Sequence, residues 1–446
     1  MPSARFEQGQ TRYVDAIKIP EIDVPYRGDI VVTGVAGRTR FGDIEQTWKA
    51  MLEGRNSAIK LDLPEIDEGS RVAAPFPDDF DPISGINERK DSRFLTRMGA
   101  MTVVDGRKAL AMAGLLTDDG KIDTDKIRPG RTSIVFGTGF GQVATAVDLH
   151  KVTEEKGSGK VGLDLPLGMF PEQPLGRFAM AVGIKGGRGI VNNGACGASA
   201  ISVDIAKDLI RSGRADTVVV IGSETALGTH PRITMAGFNA VHALADRNND
   251  PERASRPFDA DRNGFVPADG EGIMILERAD IVETQGREPL AKINRTNSAI
   301  DGHHVTQGDP DVVAQALTNM LVVPGTNKIL LPDAYLAHAT GTKTGELAEI
   351  EAIKKTFGNA FAEHRIPVYA PKSSINHLMG AAGIMAGIIA VLSIRDGQIP
   401  PNVNLKNPIN DWHFPRESVL YQKSNSIGVL GSGFAGFNGM YVVERV

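Results

Sequence analysis

One cysteine, two histidines and one lysine are the residues of this chain whose types and settings suit covalent chemistry. Cys196 is the only cysteine. It follows the apolar run Gly189–Asn192 and precedes Ala198–Arg211, where Ile201, Ile205 and Leu209 recur at helical spacing and Gly213 stands as a cap. A thiol at a helix N-terminus feels the positive end of the macrodipole and nearby unpaired N–H groups, and both favour thiolate. A buried, inert cysteine fits the same placement, which alone does not separate the two readings. His338 ends the run Asp333–Ala337, and His377 lies in Ala370-Pro-Lys-Ser-Ser-Ile-Asn-His-Leu-Met-Gly380. A single histidine so placed is ordinarily structural. Two of them with a cysteine, all at strand ends, point to one site, because α/β sheets gather ligands beyond the carboxyl ends of their strands. Lys372, after Pro371 at a strand end, is either a surface lysine or part of that site. There is no CxxC and no HExxH, so the spacing does not suit zinc.

The elements that must position these residues alternate between strand and helix. Ile30–Gly34, Ser133–Phe136, Gly189–Asn192 and Thr217–Ile221 read as buried strands, with the helix Ala198–Arg211 between the last two. The second half repeats the grammar. Asp333–Ala337 and Val368–Ala370 are strands, Glu346–Phe357 is a helix with Leu347, Ile350, Ile353 and Phe357 on one face, Leu378–Arg395 is a second helix, and Tyr441–Val443 is a closing strand. Alternating βα units predict mostly parallel sheets with helices packed on them. The two-halves pattern is too diverged to prove from the residues. Residues 1–27, with prolines at 20 and 25 and no sustained periodicity, read as an N-terminal extension.

Composition bounds the function. The 446 residues are 41% hydrophobic, ample for a large core, and the 50 glycines form no long Gly/Ser tract. A formal net charge of −5 excludes a globally basic nucleic-acid binder while permitting a local basic patch. No run approaches the roughly 18 uninterrupted apolar residues of a membrane span. The polar start after Met1-Pro-Ser-Ala-Arg lacks a secretory signal, and one cysteine forms no intramolecular disulfide. A cytoplasmic location is the expectation.

Seven motifs occur in order along the chain. The first three are Gly194-Ala-Cys-Gly-Ala-Ser199, Asp250-Pro-Glu-Arg-Ala-Ser-Arg-Pro-Phe-Asp259 and Asp261-Arg-Asn-Gly-Phe-Val266. Ala337-His-Ala-Thr-Gly-Thr-Lys-Thr-Gly345, Pro371-Lys-Ser-Ser-Ile-Asn-His-Leu-Met-Gly-Ala-Ala-Gly383, Ile399-Pro-Pro-Asn-Val-Asn404 and Gly433-Phe-Ala-Gly-Phe-Asn-Gly439 follow. With these motifs the chain resembles the β-ketoacyl-(acyl-carrier-protein) synthases of the type I/II condensing enzymes, from about Ile30 to Val443. The resemblance implies the thiolase fold, an α/β architecture of duplicated βα halves in a layered αβαβα core, with residues 28–285 carrying the cysteine and 286–446 the two histidines. It implies that Cys196 accepts the acyl group, that His338 and His377 complete a Cys-His-His triad and that Lys372 is the active-site lysine. Phe434 would join its backbone N–H to that of Cys196 in an oxyanion hole and gate the site with its ring. Thr340 and Thr342 would lie near the phosphopantetheine arm.

Several positions depart from the pattern. Leu336 and Ala339 replace the usual Asn and Gly around the first histidine, and Asn376 replaces the glycine before the second. Ala386 stands where a glutamate is common, Ser432 where a phenylalanine is normal two residues before the gate, and His242 where a carrier-docking arginine aligns. Pro267-Ala-Asp-Gly-Glu-Gly272 is an altered glycine-rich motif.

The implied reaction is a decarboxylative Claisen condensation in fatty acid or polyketide synthesis. Cys196 takes an acyl group from a thioester, malonyl-carrier loses its carboxylate, and the enolate attacks the acyl-enzyme. Two neutral histidines would donate Nε2–H to the enolate oxygen, each held by a partner at its other nitrogen. No redox cofactor or metal is expected, since Gly137-Thr-Gly-Phe-Gly-Gln142 lacks the G-x-G-x-x-G spacing and is expected to shape the back of the cavity. The implied partners are the acyl carrier protein and a second copy of the chain, or a related subunit in a heterodimer, with no nucleic acid. Two other readings stand beside this one: a non-condensing partner subunit of the chain-length-factor or decarboxylase type, and a thiolase, which normally uses a second cysteine.

Overall fold

The computed structural model describes residues 25–446 except 67, 87–94, 163 and 324–327. Most of the expected N-terminal extension, Pro20 included, thus lies outside the described residues.

Among the described residues the main sheet has eleven strands, ten along its path and the two-residue strand Gly42–Asp43 paired to the end of the first. In the first half those on the path are β1 (Ile30–Thr39), β2 (Thr132–Gly137), β3 (Gly189–Asn192), β4 (Thr217–Glu224) and β5 (Gly270–Arg278). In the second they are β6 (Ala291–Ile300), β7 (Ala334–Leu336), β8 (Val368–Tyr369), β9 (Ser426–Ser432) and β10 (Phe437–Glu444). Their spatial order is β8-β7-β9-β10-β6-β1-β5-β4-β2-β3, joined at the centre where Val31 and Val32 pair with Lys292 and Ala291. Within each half the second strand runs parallel to the third and fourth, the fourth is antiparallel to the fifth, and the fifth antiparallel to the first. Identical order and orientation in both halves is the duplication that the residues alone did not prove. The sheet is mixed rather than mostly parallel, because the long fourth and fifth strands of each half pair antiparallel; β9 turns back directly into β10, whereas residues 225–269, with the helix Pro231–Ala240, separate β4 from β5.

Alternation along the strands makes the layers. Val218, Val220, Met274 and Leu276 face a core shared with Ala200, Val203 and Ile210 of helix α3 (Ala198–Arg211) and Ile384, Ile388 and Val391 of helix α6 (Ala382–Asp396). Their neighbours Val219, Ile221, Ile273 and Ile275 face the opposite way, onto helices α1 (Arg97–Met112) and α2 (Gln173–Val182). In the second half Val429, Tyr441 and Val443 face the central core, whereas Leu430, Met440 and Val442 face helices α4 (Pro310–Leu321) and α5 (Lys343–Phe357). A period of two thus separates three cores and yields the αβαβα stack. The central helices touch closely: a Cβ on Gly383 would lie 2.6 Å from the backbone nitrogen of Ala200, so only glycine fits.

Two helices differ from expectation. The segment Met379–Asp396 matches a membrane span in length and hydropathy, yet 89% of it is buried, as the central layer requires. Helix α5 does not turn Leu347 inward; that side chain is 57% exposed, while Glu346 and Glu349 are buried beside Ile350 and Ile353. The carboxylates point inward because a loop places unpaired N–H groups there.

Candidate active site

Each half delivers a reactive residue from the same place in its topology. In the first, strand β3 ends in a tight turn, Ala195–Gly197, that runs into α3 and carries Cys196. In the second, strand β8 is followed by the short helix Lys372–Ile375, then His377, then α6. Ala195, just before the thiol, adopts φ 48°, a left-handed conformation that costs a non-glycine residue energy. His338 comes from the end of β7. Cys196, His338, His377, Thr340, Thr342 and Phe434 line one chamber.

His338 and His377 meet edge to face, with ring centroids 5.6 Å apart, and Phe265 closes the other side of the His377 ring at 5.2 Å. Burial holds both imidazoles well below the usual histidine range, and the Lys372 ammonium pushes the same way, so both rings are neutral at pH 7. Lys372 is buried; its Nζ donates to the His338 carbonyl at 2.5 Å and lies 3.5 Å from His338 Nδ1. The expected partner at the far nitrogen thus exists for His338. For His377, Nδ1 is buried without a hydrogen-bond partner among the described residues.

Cys196 keeps some accessible surface in the chamber, but the protein encloses it closely enough that burial pushes its thiol up to about 12, against the pull of Lys372. The macrodipole argument for a resting thiolate is outweighed: the thiol is protonated at rest and must lose its proton as it attacks. Neutral imidazoles in the same chamber are suitable acceptors.

Gly433 brings the gate segment against this turn; a Cβ there would meet the backbone nitrogens of Cys196 and Gly197, each at 2.9 Å. Among the described residues the N–H groups of Cys196 and Phe434 donate to no backbone group outside their own tight turns. The Phe434 ring packs 6.4 Å from that of Phe238, in an apolar cluster with Phe140 and Cys196. Phe140 belongs to the glycine-rich run after β2, which reaches the apolar cluster around Cys196 through this ring but supplies no residue to the chamber's lining.

Buried carboxylates, not read from the sequence, shape the site. Glu349 Oε1 accepts from His338 N–H at 2.9 Å and Oε2 from Ala339 N–H at 2.8 Å. Glu346 accepts from Gly341 N–H at 2.7 Å and pairs with Arg262 at 2.6 Å. Glu224, at the end of β4, accepts from Gly139 N–H at 2.7 Å and Gly380 N–H at 3.2 Å, tying the glycine-rich run to the His377 loop. Burial raises Glu224 to about 7 and Glu346 to about 8. The signal for the pair on α5 was the i, i+3 spacing of Glu346 and Glu349 just after the His338 motif, which put both on one helix face.

The departures find their places. Ala339 (φ 23°) and Asn376 (φ 61°) stand in the region that favours glycine. Asn376 is buried and its Nδ2 donates to Ser57 Oγ at 2.8 Å, while Asn56 donates to the Ser373 carbonyl at 2.7 Å. Ala386 lies in the central core of α6. Ser432 lines the chamber. In the altered glycine-rich motif, Asp269 accepts from Leu227 N–H and Glu271 from the Thr102 hydroxyl. His242 is exposed on the surface.

Residues 27–281 match the family model "Beta-ketoacyl synthase, N-terminal domain" and residues 290–406 the model "Beta-ketoacyl synthase, C-terminal domain". A Vibrio cholerae protein named 3-oxoacyl-[acyl-carrier-protein] synthase 2 is 30% identical over 427 residues, covering 94% of this chain and 99% of its own. The ishigamide ketosynthase/chain length factor superposes with a TM-score of 0.81 at 24% identity, covering 94% of this chain and 100% of its own. A type II polyketide acyl-carrier protein in complex with its ketosynthase gives 0.78 at 22% identity, covering 95% and 100%. Both solved structures share the fold.

Proposed function

The chain belongs to the β-ketoacyl synthase family, and we propose that its Cys196–His338–His377 chamber condenses an acyl thioester with malonyl-carrier. One observation carries the assignment of roles: the protein's only thiol and two neutral, edge-to-face imidazoles share a single chamber. The non-condensing partner reading is not favoured, since the matched relatives are 3-oxoacyl synthases. A thiolase would want a second cysteine.

In the first half-reaction the Cys196 sulfur attacks the acyl carbonyl, and its proton passes by way of a neutral imidazole to the departing carrier thiol. The N–H groups of Cys196 and Phe434 hold the tetrahedral oxyanion, each such donor being worth about 3–4 kcal/mol of barrier. In the second, the malonyl carboxylate leaves as carbon dioxide and its bonding pair forms an enolate, whose oxygen accepts from His338 and His377. The enolate carbon then attacks the acyl-enzyme and expels the Cys196 sulfur, which takes one proton from solvent. Lys372 supports the donor tautomer of His338 by occupying the Nδ1 side. Thr340 and Thr342, whose hydroxyls are 3.0 Å apart at the chamber wall, are placed to meet the pantetheine arm.

The partner of this reading is an acyl carrier protein, and the matched relatives' names and the solved carrier complex support it. Dimerisation through β3 is supported by that strand's position at the edge of the sheet, where its residues are exposed or half-buried. We set the boundary between the halves at 285/286, between the end of β5 at Arg278 and the start of β6 at Ala291.

The test is purified protein with acyl-carrier and radiolabelled malonyl-carrier, beside Cys196→Ala. Labelled 3-oxoacyl product that vanishes in the variant supports the reading. Carbon dioxide release with no condensed product contradicts it and restores the partner reading. His242→Arg probes carrier docking: an unchanged carrier affinity would show that position 242 lies off the docking surface.

A further inference from the structure

Glu224 ends strand β4, is fully buried and takes no part in the chemical steps described above. Donors from two loops converge on its carboxylate. From the glycine-rich run, Gly139 N–H donates to Oε2 at 2.7 Å, Phe140 N–H lies 3.2 Å from each oxygen, and the Thr138 hydroxyl donates to Oε1 at 3.4 Å. From the loop after His377, Gly380 N–H donates to Oε2 at 3.2 Å. The two loops meet there without a gap, since a Cβ on Gly380 would collide with the Gly139 nitrogen.

The glycine-rich run is also tied to the nucleophile's side. Thr138 N–H donates to the Asn192 carbonyl at 3.1 Å. Asn193, with its amide turned to donate, gives Nδ2 to the Thr138 and Gly139 carbonyls at 2.6 and 3.0 Å. Asn192 and Asn193 end β3 and lead into the turn that carries Cys196. One carboxylate therefore joins two lines of contact. Through Gly139 and Asn193 it reaches the thiol's turn, and through Gly380 it reaches the loop of the second imidazole.

We infer that Glu224 is a positioning residue, whose carboxylate holds the Cys196 turn and the His377 loop at the separation that condensation requires. The inference rests on the condensing reading above: the enolate held by His377 must meet the acyl carbon on Cys196. Glu224 does not activate the nucleophile, because its charge pushes the Cys196 thiol up. Its contribution to rate is geometric, and a misplacement of about 1 Å between reacting groups costs about 100-fold.

That opposition between charge and geometry supplies the test. Two rates are measured on the full-length enzyme: alkylation of Cys196 by iodoacetamide, and condensation of acylated enzyme with malonyl-pantetheine. Glu224→Gln keeps the side chain's length but only one of its two accepting oxygens. It is expected to lower kcat for condensation at least tenfold and to change KM for malonyl-pantetheine less than twofold, because Thr340 and Thr342 belong to the His338 loop, which Glu349 and Glu346 hold instead. Alkylation should be no slower than in the wild type, whereas general damage to the site would slow both reactions. A variant whose kcat stays within twofold of wild type overturns the inference, and so does one whose alkylation and condensation fall together. Should Glu224→Gln not fold, Asn193→Ala tests the same joint at an exposed side chain. It is expected to lower kcat several-fold, and an unchanged kcat overturns the inference. A wild type that forms no 3-oxoacyl product overturns the proposed function itself.

Discussion

The two histidines reach the same chamber on loops of opposite construction. The His338 loop is gripped by charge: Glu349 takes the N–H groups of His338 and Ala339, and the buried Lys372 ammonium takes the His338 carbonyl. The His377 loop is gripped on the Asn376 side by neutral groups, through Asn376 to Ser57, Asn56 to the Ser373 carbonyl, and Ser57 N–H to the Ser374 carbonyl at 2.9 Å, with a carboxylate, Glu224, only at its far end on Gly380. Both loops need a left-handed residue next to the histidine, and neither uses glycine there. The difference teaches how strained backbone is kept in place. Where charges do it, the loop is sensitive to pH and to loss of either partner; where amides and hydroxyls do it, the loop is sensitive mainly to shape.

The largest expected effect comes from breaking the charged grip. Glu349→Ala leaves two buried N–H groups without acceptors and removes the carboxylate that acts most strongly on Lys372, and each buried donor left unsatisfied typically costs about 1–3 kcal/mol, more where the lost acceptor is charged. Thermal unfolding should show a drop of that order; a variant as stable as wild type would mean that the loop holds its shape without the carboxylate. Next comes the neutral grip. Asn376→Ala keeps the backbone in a glycine-favouring conformation while deleting its hydrogen bond, for about 1–3 kcal/mol. Asn376→Gly relieves the strain and should lose less stability than the alanine variant. The reverse order in denaturant titrations would show that the strain is not real.

The smallest effect is the pH response. Burial lowers Lys372 to about 8, from an ordinary value of 10.5. Between these values the unfolded chain holds the proton and the folded one does not, so this group's contribution to stability rises as pH rises from 8 to 10.5. Activity should move the other way, because losing the ammonium weakens the hold on His338. A several-fold fall in kcat centred near pH 8 is expected in the wild type, and Lys372→Met should remove the pH dependence by being low throughout. A profile flat through pH 9 would detach Lys372 from the His338 loop.

Much of this was legible in the residues, and the losses have physical causes. Helix α3 was read at its true ends, Ala198 and Arg211, because its apolar spacing is regular and the turn and the glycine bound it. The convergence of Cys196, His338 and His377 followed from strand-end placement together with the ordered motifs. Sheet direction was misread, since alternation of strand and helix says nothing about a hairpin such as β9–β10, where two strands follow each other with no helix between. The buried glutamates of α5 were missed because charge on a helix ordinarily faces water; only the loop amides they satisfy reverse that, and the residues do not show that the loop just before the helix folds back over its inner face. The protonated state of Cys196 was hidden for the same reason: enclosure is a property of the packed fold, while the helix terminus is visible locally.

The central claim is that one thiol and two neutral imidazoles perform both halves of a condensation. The most direct measurement is intact-protein mass spectrometry of a single turnover. The enzyme is loaded with an acyl thioester, freed of excess, and chased with malonyl-carrier while carbon dioxide is counted. The account predicts one acyl adduct, located on Cys196, that disappears with equimolar release of carbon dioxide and of 3-oxoacyl product. An adduct that survives the chase while carbon dioxide is released would contradict it.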